Sequence, residues 1–391
     1  MDKKYDVIII GAGPAGGAAA FFLGQAGLRV LVLENEELPR YKPCGGAVSA
    51  ALLARFPFSF GPVIESDITE TAYVLGDRTA RIPLPHGAIR MVMRDRFDAW
   101  LVSHAEAEVR TSSPVCHIVE DEDGVVVETA IGEQFMASYL IGADGANSIV
   151  ASKLGLRQKR QRAAAIEAEI PVEPEVMVRF AASLTFIFGE VRKGYIWIFP
   201  KSGHLSVGIG TLRRERIDLK KTLERVMARY GISLEGAKLH GHPVPIYQRH
   251  ETISTKRAFL VGDAAGLVDP FTGEGIRMAV QSAELAAEAI VAGDPARYQR
   301  SVHREIGRSL LVGGLLASAF YYFPRASFAL IARNPFLTQA MVDLSSDRAD
   351  YPAVVFRVII GLPAYLAIEV AGAIARGISG IVGRRQTRAK A

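Results

Sequence analysis

The first third of the chain alternates short, continuously apolar runs with glycine-rich turns. YDVIII (residues 5–10) is β-branched and apolar at nearly every position, which predicts a strand buried on both faces of a parallel sheet. Residues 17–27 follow a helical pattern that ends at Gly27, and RVLVLE (29–34) predicts a second buried strand. The order strand, helix, strand predicts a βαβ unit and an α/β fold.

The turn between the first strand and the helix has the spacing G-x-G-x-x-G. Its first glycine permits a tight turn, its second lets the backbone approach a pyrophosphate, and its third allows close packing of helix on sheet. The helix N-terminus attracts phosphate, and Glu34 ends the second strand where an acid accepts hydrogen bonds from a ribose. The predicted nucleotide-binding residues here are Gly11, Gly13, Pro14, Ala15, Gly16 and Glu34. The spacing alone does not separate NAD from FAD.

A second strand-and-helix unit occupies residues 256–290. A buried strand ends at Asp263, a loop rich in proline and glycine follows, and an amphipathic helix begins near Gly275. Here the chain resembles the flavoprotein class that includes p-hydroxybenzoate hydroxylase and the geranylgeranyl reductases. The resemblance implies that Asp263 holds the ribityl chain of FAD and that the backbone of Gly275 and Ile276 meets the isoalloxazine ring. A helix N-terminus at that place stabilises the negative charge of reduced flavin.

Two further segments resemble the same class. Residues 142–148 match its Asp-Gly motif through Gly142, Ala143, Asp144, Gly145 and Ser148. Hydroxylases usually end this motif with an arginine where this chain has Ala151, which argues against an aromatic hydroxylase. In MRDRFDAWL (93–101) the resemblance implies that Arg94 reaches the FAD phosphates, with Arg96 as the alternative.

The stretch RYKPCGGAVS (40–49) matches the geranylgeranyl reductases better than the hydroxylases. In that family the Cys-Gly-Gly segment packs beside the flavin, so Cys44, Gly45 and Gly46 are expected to bind FAD. Pro43 fixes its φ, and the two glycines let the backbone lie against a ring without a Cβ. The alternative is a turn that holds a buried cysteine. Cys44 and an ordered water are the candidate proton donors.

The segment GYIWIFPKSGHLSVGIG (194–210) alternates aromatic and aliphatic residues. A period of two places Tyr195, Trp197 and Phe199 on one face of a strand, where they form either ordinary core or one wall of an apolar slot. The segment resembles the Tyr-x-Trp-x-Phe-Pro motif of the geranylgeranyl reductases, although Arg192 stands where the family has a proline. The resemblance implies substrate binding by Tyr195, Trp197, Phe199, Pro200 and Gly208, and it makes Cys44, Tyr195 and Trp197 the candidate catalytic residues.

These segments together predict a three-part chain. A Rossmann-like FAD-binding domain with a parallel sheet comprises residues 1–57, 93–164 and 255–310. An inserted substrate domain with an antiparallel sheet comprises 58–92 and 165–254, in which VMVRFAASLTFIFGEV (176–191) is expected to form a strand pair. Residues 311–391 are expected to form a helical, membrane-associated region. The histidines do not have a metal-binding spacing; they are His204, His240, His242 and His250.

Composition narrows the class of protein further. The chain has 391 residues, a net charge of +5 and two cysteines, so a disulfide framework and a cysteine-rich metal site are excluded. No aromatic–basic stripe points to nucleic acid. Asp6 interrupts the apolar N-terminal run, which argues against a signal peptide, and no run of 18 apolar residues predicts a membrane span. We expect a monomer in the cytoplasm, peripheral at the cytoplasmic membrane, with a basic tail of Arg384, Arg385, Arg388 and Lys390.

The resemblance covers residues 1 to about 370 and implies an FAD-dependent reductase of carbon–carbon double bonds in isoprenoid chains. The implied electron donor is NAD(P)H or a ferredoxin. Two alternatives remain at this point. One is an FAD-dependent aromatic monooxygenase or halogenase, and the other is a non-catalytic lipid-binding protein with a flavoprotein fold.

Overall fold

A computed structural model describes residues 5–157, 162–212 and 217–360. The strands are β1 (Tyr5–Ile10), β2 (Val30–Leu33), β3 (Ala47–Ser49), β4 (Ile64–Ile68), β5 (Glu70–Leu75), β6 (Arg78–Pro83), β7 (Ile89–Val92), β8 (Glu108–Arg110), β9 (Val115–Glu120), β10 (Val125–Thr129), β11 (Gln134–Gly142), β12 (Ala163–Pro171), β13 (Ser183–Phe188), β14 (Gly194–Pro200), β15 (His204–Thr211), β16 (His240–Val244) and β17 (Ala258–Leu260). The helices are α1 (Pro14–Gln25), α2 (Ala50–Leu53), α3 (Arg94–Ser103), α4 (Ile149–Lys153), α5 (Pro174–Phe180), α6 (Leu219–Arg229), α7 (Gly262–Ala265), α8 (Ile276–Val291), α9 (Pro295–Val302), α10 (Arg308–Tyr322), α11 (Pro324–Arg333), α12 (Pro335–Ser345) and α13 (Tyr351–Ile360).

A parallel sheet carries the predicted βαβ unit. Its strands run in the order β8-β2-β1-β11, with β17 parallel to the end of β11, and β10 and β9 extend the sheet as an antiparallel hairpin. The central strands are buried on both faces, as their unbroken apolar runs predicted. Helices α1 and α8 pack against one another beside this sheet. The predicted α/β fold with a parallel sheet is confirmed.

A second sheet runs in the order β16-β12-β15-β14-β13-β5-β6. It is antiparallel apart from the parallel pair β13–β5, so the predicted antiparallel sheet is also confirmed. One face is aliphatic: Ile196, Ile198 and Ile209 are fully buried and belong to one cluster with residues of α5 and α6. Because side chains alternate along a strand, the opposite face of the same strands is free to line a cavity.

The prediction of a strand pair over residues 176–191 is wrong in its first half. Residues 174–180 form α5, and only Ser183–Phe188 is a strand. Pro174 occupies the first turn of the helix, where its missing N–H costs nothing. Val176, Met177 and Phe180 pack at helical spacing on the aliphatic cluster. The strand β13 pairs with β5, from much earlier in the chain.

A third, small sheet has the strand order β3-β7-β4. It joins β3 to β7 and β4, which are strands from residues assigned to two different predicted domains. The turn that contains Cys44 leads directly into β3, so this small sheet fixes the position of the turn.

The C-terminal part of the described chain is helical, as predicted. Helices α9 and α10 are continuous through a π-helical turn at His303–Gly307, and α11, α12 and α13 follow. No single described helix combines the length and hydropathy of a membrane span, but Pro295–Tyr322 and Pro324–Ile331, which meet at 111°, pass that test together. The predicted basic tail lies outside the described residues.

Candidate active site

A cavity of about 800 Å³ lies where the two large sheets meet the C-terminal helices. Most of the residues predicted from the sequence line it. They are Gly11, Gly13, Pro14, Ala15, Glu34, Cys44, Gly45, Gly46, Arg94, Tyr195, Trp197, Phe199, Asp263, Gly275 and Ile276. The structure thus brings the glycine-rich turn, the cysteine-bearing turn and the aromatic strand into one chamber. Gly16, Pro200 and Gly208 do not line it.

The three glycines of the β1–α1 turn differ in what surrounds them. A Cβ on Gly11, at φ +99°, would lie 2.5 Å from the Ala143 carbonyl oxygen, and a Cβ on Gly16 would lie 1.8 Å from the Gly11 oxygen. A Cβ on Gly13 would meet nothing nearer than 3.7 Å. Gly11 and Gly16 are therefore required by the fold itself. Gly13 opens onto the cavity, where a pyrophosphate has room.

Two guanidinium groups face that opening. Nη2 of Arg40 and Nη2 of Arg94 both lie 3.7 Å from the Cβ position of Gly13. Arg94 is buried and donates two hydrogen bonds of 2.8 Å to Asp98, while Arg40 bonds to Asp98 at 3.1 Å and to Glu34 at 3.3 Å. These anchors preorganise two cations for an anion. Sequence reasoning missed Arg40, which stands at the start of the stretch that contains Cys44.

The alternative arginine, Arg96, has a different environment. Its side chain is about half exposed and pairs with Glu65 at 2.8 Å, and its guanidinium also donates to the Pro62 carbonyl. It does not line the cavity. Of the two arginines in this helix, the structure therefore favours Arg94 as the phosphate ligand.

The other end of the nucleotide site is formed by Asp263 and the start of α8. Gly275 is the N-cap residue of α8, so the helix begins where the sequence predicted. Oδ1 of Asp263 lies 3.3 Å from the Cβ position of Gly275. Asp144 lines the same wall, and its carboxylate accepts hydrogen bonds from the amides of Ile149 and Val150 at 2.6 and 3.1 Å. Burial raises the pKa of Asp144. These two hydrogen bonds and a third from the Ser148 side chain oppose that effect.

Lys201 holds the cysteine-bearing turn in place. Its side chain is 1% exposed, and Nζ donates to the carbonyl oxygens of Gly45 and Val92, at 2.7 Å each. Gly46 has φ +70°, and its amide donates to Sγ of Cys44 at 3.4 Å. Burial lowers the pKa of the Lys201 ammonium, although neighbouring Glu169 opposes that effect. The buried Lys201 side chain thus holds the turn through its hydrogen bonds to the backbone.

The turn packs directly on the aromatic strand. A Cβ on Gly45 would lie 2.7 Å from the Phe199 ring and 3.7 Å from Nε1 of Trp197. The absence of a side chain at Gly45 allows the backbone to meet these two aromatic rings. The contact of Gly45 and Gly46 with the flavin stays a prediction.

The cavity-facing side of the second sheet is built in rows across the strands. One row contains Tyr73, Phe186, Trp197, Gly208, Glu167 and His240, and a second contains Phe188, Tyr195, Gly210, Ala165 and His242. The ring of Phe186 packs edge-on against the rings of Tyr195 and Phe199, with centroid distances of 5.4 and 5.2 Å. The predicted aromatic wall therefore extends over β13 and β5, which the sequence analysis did not include.

Gly208 and Pro200, which the resemblance placed among the substrate-binding residues, lie behind this wall. A Cβ on Gly208 would come within 2.1 Å of Cζ2 of Trp197, so the indole lies flat over this glycine. Pro200 accepts a hydrogen bond of 3.1 Å from Oγ of Ser66. Both residues hold the wall in shape and do not form its surface.

The far end of the cavity is closed by the C-terminal helices and the loop before α8. Phe271, Tyr321, Met341 and Leu344 line this end. The Tyr195 hydroxyl donates to the Thr272 carbonyl, and burial raises its pKa. This end is largely aromatic, although Asp269 and Glu274 also line the cavity, whereas two arginines face the end at the Gly13 turn.

The polar side of the aromatic rows was also missed from the sequence. Glu167, His240 and His242 share the cavity face with the aromatic residues. Nε1 of Trp197, Oε2 of Glu167 and Nε2 of His242 are buried without a hydrogen-bond partner among the described residues. Unpaired buried polar atoms indicate the place of a ligand or water. The alternation in AAAIEAEIP (163–171) could have identified Glu167, because it lies in phase with Ala163 and Ala165.

The FAD binding domain family matches residues 4–52 and 65–293 of this chain. Digeranylgeranylglycerophospholipid reductase 2 of Methanothermobacter thermautotrophicus is 33% identical over 338 residues, which are 78% of this chain and 85% of that protein. The chloroplastic geranylgeranyl diphosphate reductase of Arabidopsis thaliana is 32% identical over 316 residues, 75% of this chain and 67% of that protein.

Solved structures share the fold. A geranylgeranyl bacteriochlorophyll reductase-like protein of Thermoplasma acidophilum superposes with a TM-score of 0.75 at 23% identity, over 93% of this chain and 98% of that one. The flavin-dependent brominase Bmp2 superposes with a TM-score of 0.72 at 20% identity, over 92% and 99%. The cradle at Gly13, its two arginines and the α8 N-terminus fit FAD, the cofactor of this domain family.

Proposed function

The chain belongs to the geranylgeranyl reductase family of FAD-dependent oxidoreductases, and from this premise we propose that it hydrogenates carbon–carbon double bonds of an isoprenoid chain. The observation that carries the proposal is that the nucleotide-binding turn, the Cys44 turn and an aromatic wall meet in one cavity. A prenyl chain is long, apolar and rich in π-bonds, and it matches a slot walled by rings. Candidate substrates are geranylgeranyl diphosphate, geranylgeranylated chlorophyll precursors, ether lipids and quinone side chains.

The position of each residue supports the following proposed roles. Gly13, Arg40 and Arg94 would hold the FAD pyrophosphate, Asp263 the ribityl chain, and the backbone at Gly275 and Ile276 the ring. Tyr195, Trp197 and Phe199 would hold the prenyl chain. When bound and reduced, FAD supplies a hydride to one carbon of the alkene.

An isolated alkene is unpolarised, so no oxyanion develops for the protein to stabilise. The residues of this chain instead position the double bond and exclude water, which are the contributions that an enzyme can make to such a reaction. The buried Lys201 side chain donates to the Gly45 carbonyl and so supports the turn that packs on Phe199. The second carbon still requires a proton.

We also propose that the C-terminal helices meet a membrane surface from which the lipid enters. Eight of the thirteen large apolar side chains exposed among the described residues lie between positions 315 and 360. Helices of the same region line the apolar end of the cavity through Tyr321, Met341 and Leu344. The electron donor, NAD(P)H or a ferredoxin, and the monomeric state remain predictions from the sequence.

The monooxygenase or halogenase alternative fits the sequence less well. Ala151 replaces the arginine of the hydroxylase motif, and the Tyr-Trp-Phe strand matches the prenyl reductases. The likeness to a brominase concerns the fold, which both classes share. Oxygen-dependent consumption of NAD(P)H that an aromatic substrate stimulates would favour this alternative.

The test is anaerobic incubation of the holoenzyme, reduced with dithionite, with each candidate prenyl substrate. We expect the flavin to reoxidise and the lipid to gain two hydrogens per reduced bond, measured by absorbance and mass spectrometry. Flavin that stays reduced with every prenyl substrate would support the non-catalytic lipid-binding alternative and overturn the proposal.

A further inference from the structure

The carboxyl group of Glu167 lies on the cavity side of the second sheet with one oxygen unpaired. Glu167 stands directly opposite Gly208, which stands opposite Trp197. Because Gly208 has no side chain, nothing on β15 separates the indole from the carboxyl group. Glu167 is 2% exposed and lines the cavity.

The two oxygens of this carboxyl group have different surroundings. Oε1 accepts a hydrogen bond of 2.6 Å from the hydroxyl of Tyr41, whereas Oε2 is buried without a partner among the described residues. A protonated carboxyl group in this geometry accepts at Oε1 and carries its hydrogen on Oε2. A hydrogen on Oε2 would have no acceptor among the described residues.

Burial favours the neutral form of Glu167, although several of its neighbours oppose this effect. Burial raises the pKa of Glu167 to about 7, the Tyr41 hydrogen bond lowers it, and the charge of Glu169 on the same strand raises it again. The Cys44 amide and the Lys201 ammonium lower it. His240 stands opposite on β16, and its ring lies 4.4 Å from that of Tyr41. A sizeable fraction of Glu167 therefore carries a proton near neutral pH.

Other groups near the wall are poorer proton sources. The Tyr195 hydroxyl donates to Thr272, and burial raises its pKa. Burial lowers the pKa of His242 to about 4, so its imidazole is neutral at pH 7. The Lys201 ammonium donates to two backbone carbonyls. Sγ of Cys44, the candidate from the sequence, accepts a hydrogen bond from the Gly46 amide.

We propose that Glu167 is the residue that supplies the proton for alkene reduction, an inference that rests on the proposed function. The π-bond of the alkene breaks, one carbon forms a bond to hydride from reduced flavin, and the other forms a bond to the proton from Oε2. The flavin loses two electrons and Glu167 becomes a carboxylate. Tyr41 is 37% exposed and contacts Oε1, so the carboxylate can regain a proton from water on that side.

The experiment follows reoxidation of the dithionite-reduced holoenzyme by a prenyl substrate under anaerobic conditions, from pH 5 to 9. In the wild type the rate falls as the pH rises through about 7, since the donor loses its proton. Glu167→Gln lowers the rate at pH 6 by roughly 10²–10⁴-fold, the usual contribution of a general acid, and removes this alkaline limb. FAD content and reduction by dithionite stay at the wild-type level.

Two matched variants shift the limb in opposite directions. Glu169→Gln removes a charge that raises the pKa of Glu167, so the limb moves to lower pH. Tyr41→Phe removes a hydrogen bond that lowers this pKa, so the limb moves to higher pH. Cys44→Ser keeps the limb where it is. A merely structural role of Glu167 would produce none of these shifts, and the two variants keep the test valid if Glu167→Gln fails to fold.

Infrared spectroscopy of the holoenzyme gives a second readout that needs no substrate. The carbonyl stretch of a protonated carboxyl group should titrate near pH 7 in the wild type and disappear in Glu167→Gln. A wild type that reduces the lipid while Glu167→Gln retains its rate and alkaline limb overturns this inference alone. A wild type that reduces no prenyl lipid overturns the proposed function instead.

Discussion

At the scale of single residues, Gly208 determines how Trp197 lies in the aromatic wall. A Cβ at this position would come within 2.1 Å of the indole, whereas a Cβ on Gly210, two residues along the same strand, would meet nothing nearer than 3.8 Å. Gly208→Ala must therefore displace the indole from its place on this glycine. Overpacking of this kind costs about 1–3 kcal/mol.

We expect Gly208→Ala to shift the fluorescence of Trp197 and to lower the free energy of unfolding by about 1–3 kcal/mol. Both are measured in a Trp100→Phe background, because the chain has two tryptophans. Gly210→Ala is the control and should leave the emission spectrum unchanged. An identical spectrum for Gly208→Ala and its parent would show that the indole does not rest on this glycine.

Individual site residues differ in how far the sequence could predict them. Gly13, Asp263 and Trp197 belong to motifs with fixed spacing, and the structure places all three in one cavity. Arg40 and Glu167 belong to no such motif. They reach the site through pairings with Asp98, far along the chain, and with Tyr41 of a distant loop. Contacts of that range depend on the folded topology, so the alternation along β12 could indicate the face on which Glu167 lies but not its partner.

At the scale of elements, the β1–α1 turn separates the demands of folding from those of binding. A methyl group on Gly13 has room in the protein itself, and φ there is −75°, which any residue adopts. A methyl group on Gly16 would collide with the Gly11 carbonyl oxygen at 1.8 Å. The same chemical change therefore has different consequences three residues apart.

We expect Gly13→Ala to leave the free energy of unfolding of the apoprotein within about 0.5 kcal/mol of wild type, the usual range for a change without a clash. Its FAD affinity should fall tenfold or more, because the methyl group occupies the space for the pyrophosphate. Gly16→Ala should destabilise the apoprotein itself. Calorimetry of the apoprotein and titration with FAD separate the two effects. Tight FAD binding by Gly13→Ala would place the pyrophosphate elsewhere.

Element prediction succeeded where a pattern had one meaning. The apolar runs of β1 and β2 and the start of α8 agree with the structure because burial on both faces and the change to helical period are local properties. Residues 174–180 misled because Val176, Val178 and Phe180 alternate as in a strand. The segment forms a helix because it packs against the aliphatic side of the second sheet. That surface is built from other parts of the chain, so the local pattern does not reveal it.

At the scale of the whole molecule, exposed apolar side chains are concentrated on the C-terminal helices. On α13, Phe356 is 65% exposed and Ile359 is 63% exposed. Ile131, in the turn between β10 and β11, is 73% exposed and lies far from these helices in sequence. The three residues provide a test of membrane association in which exposure is matched.

We expect the double variant Phe356→Ser, Ile359→Ser to bind vesicles of phosphatidylglycerol at least tenfold more weakly than wild type. Burial of one large apolar side chain contributes about 1.5–3 kcal/mol, which is more than tenfold in affinity. Ile131→Ser should bind as wild type does. Co-sedimentation at matched ionic strength measures both. Equal weakening by the two variants, or no binding by wild type, would contradict a lipid surface on these helices.

The hydroxyl of Tyr351 bonds to both oxygens of Asp269, at 3.0 and 2.8 Å, deep inside the protein. The same carboxylate accepts the amides of Phe271 and Thr272, in the loop that leads to α8. A chain cut after α12 would leave that carboxylate short of a donor and the loop less constrained. Removing the last helices, as is often done to obtain crystals, would thus alter the cavity that we propose to hold FAD. The C-terminal helices are therefore part of the structure that shapes this cavity.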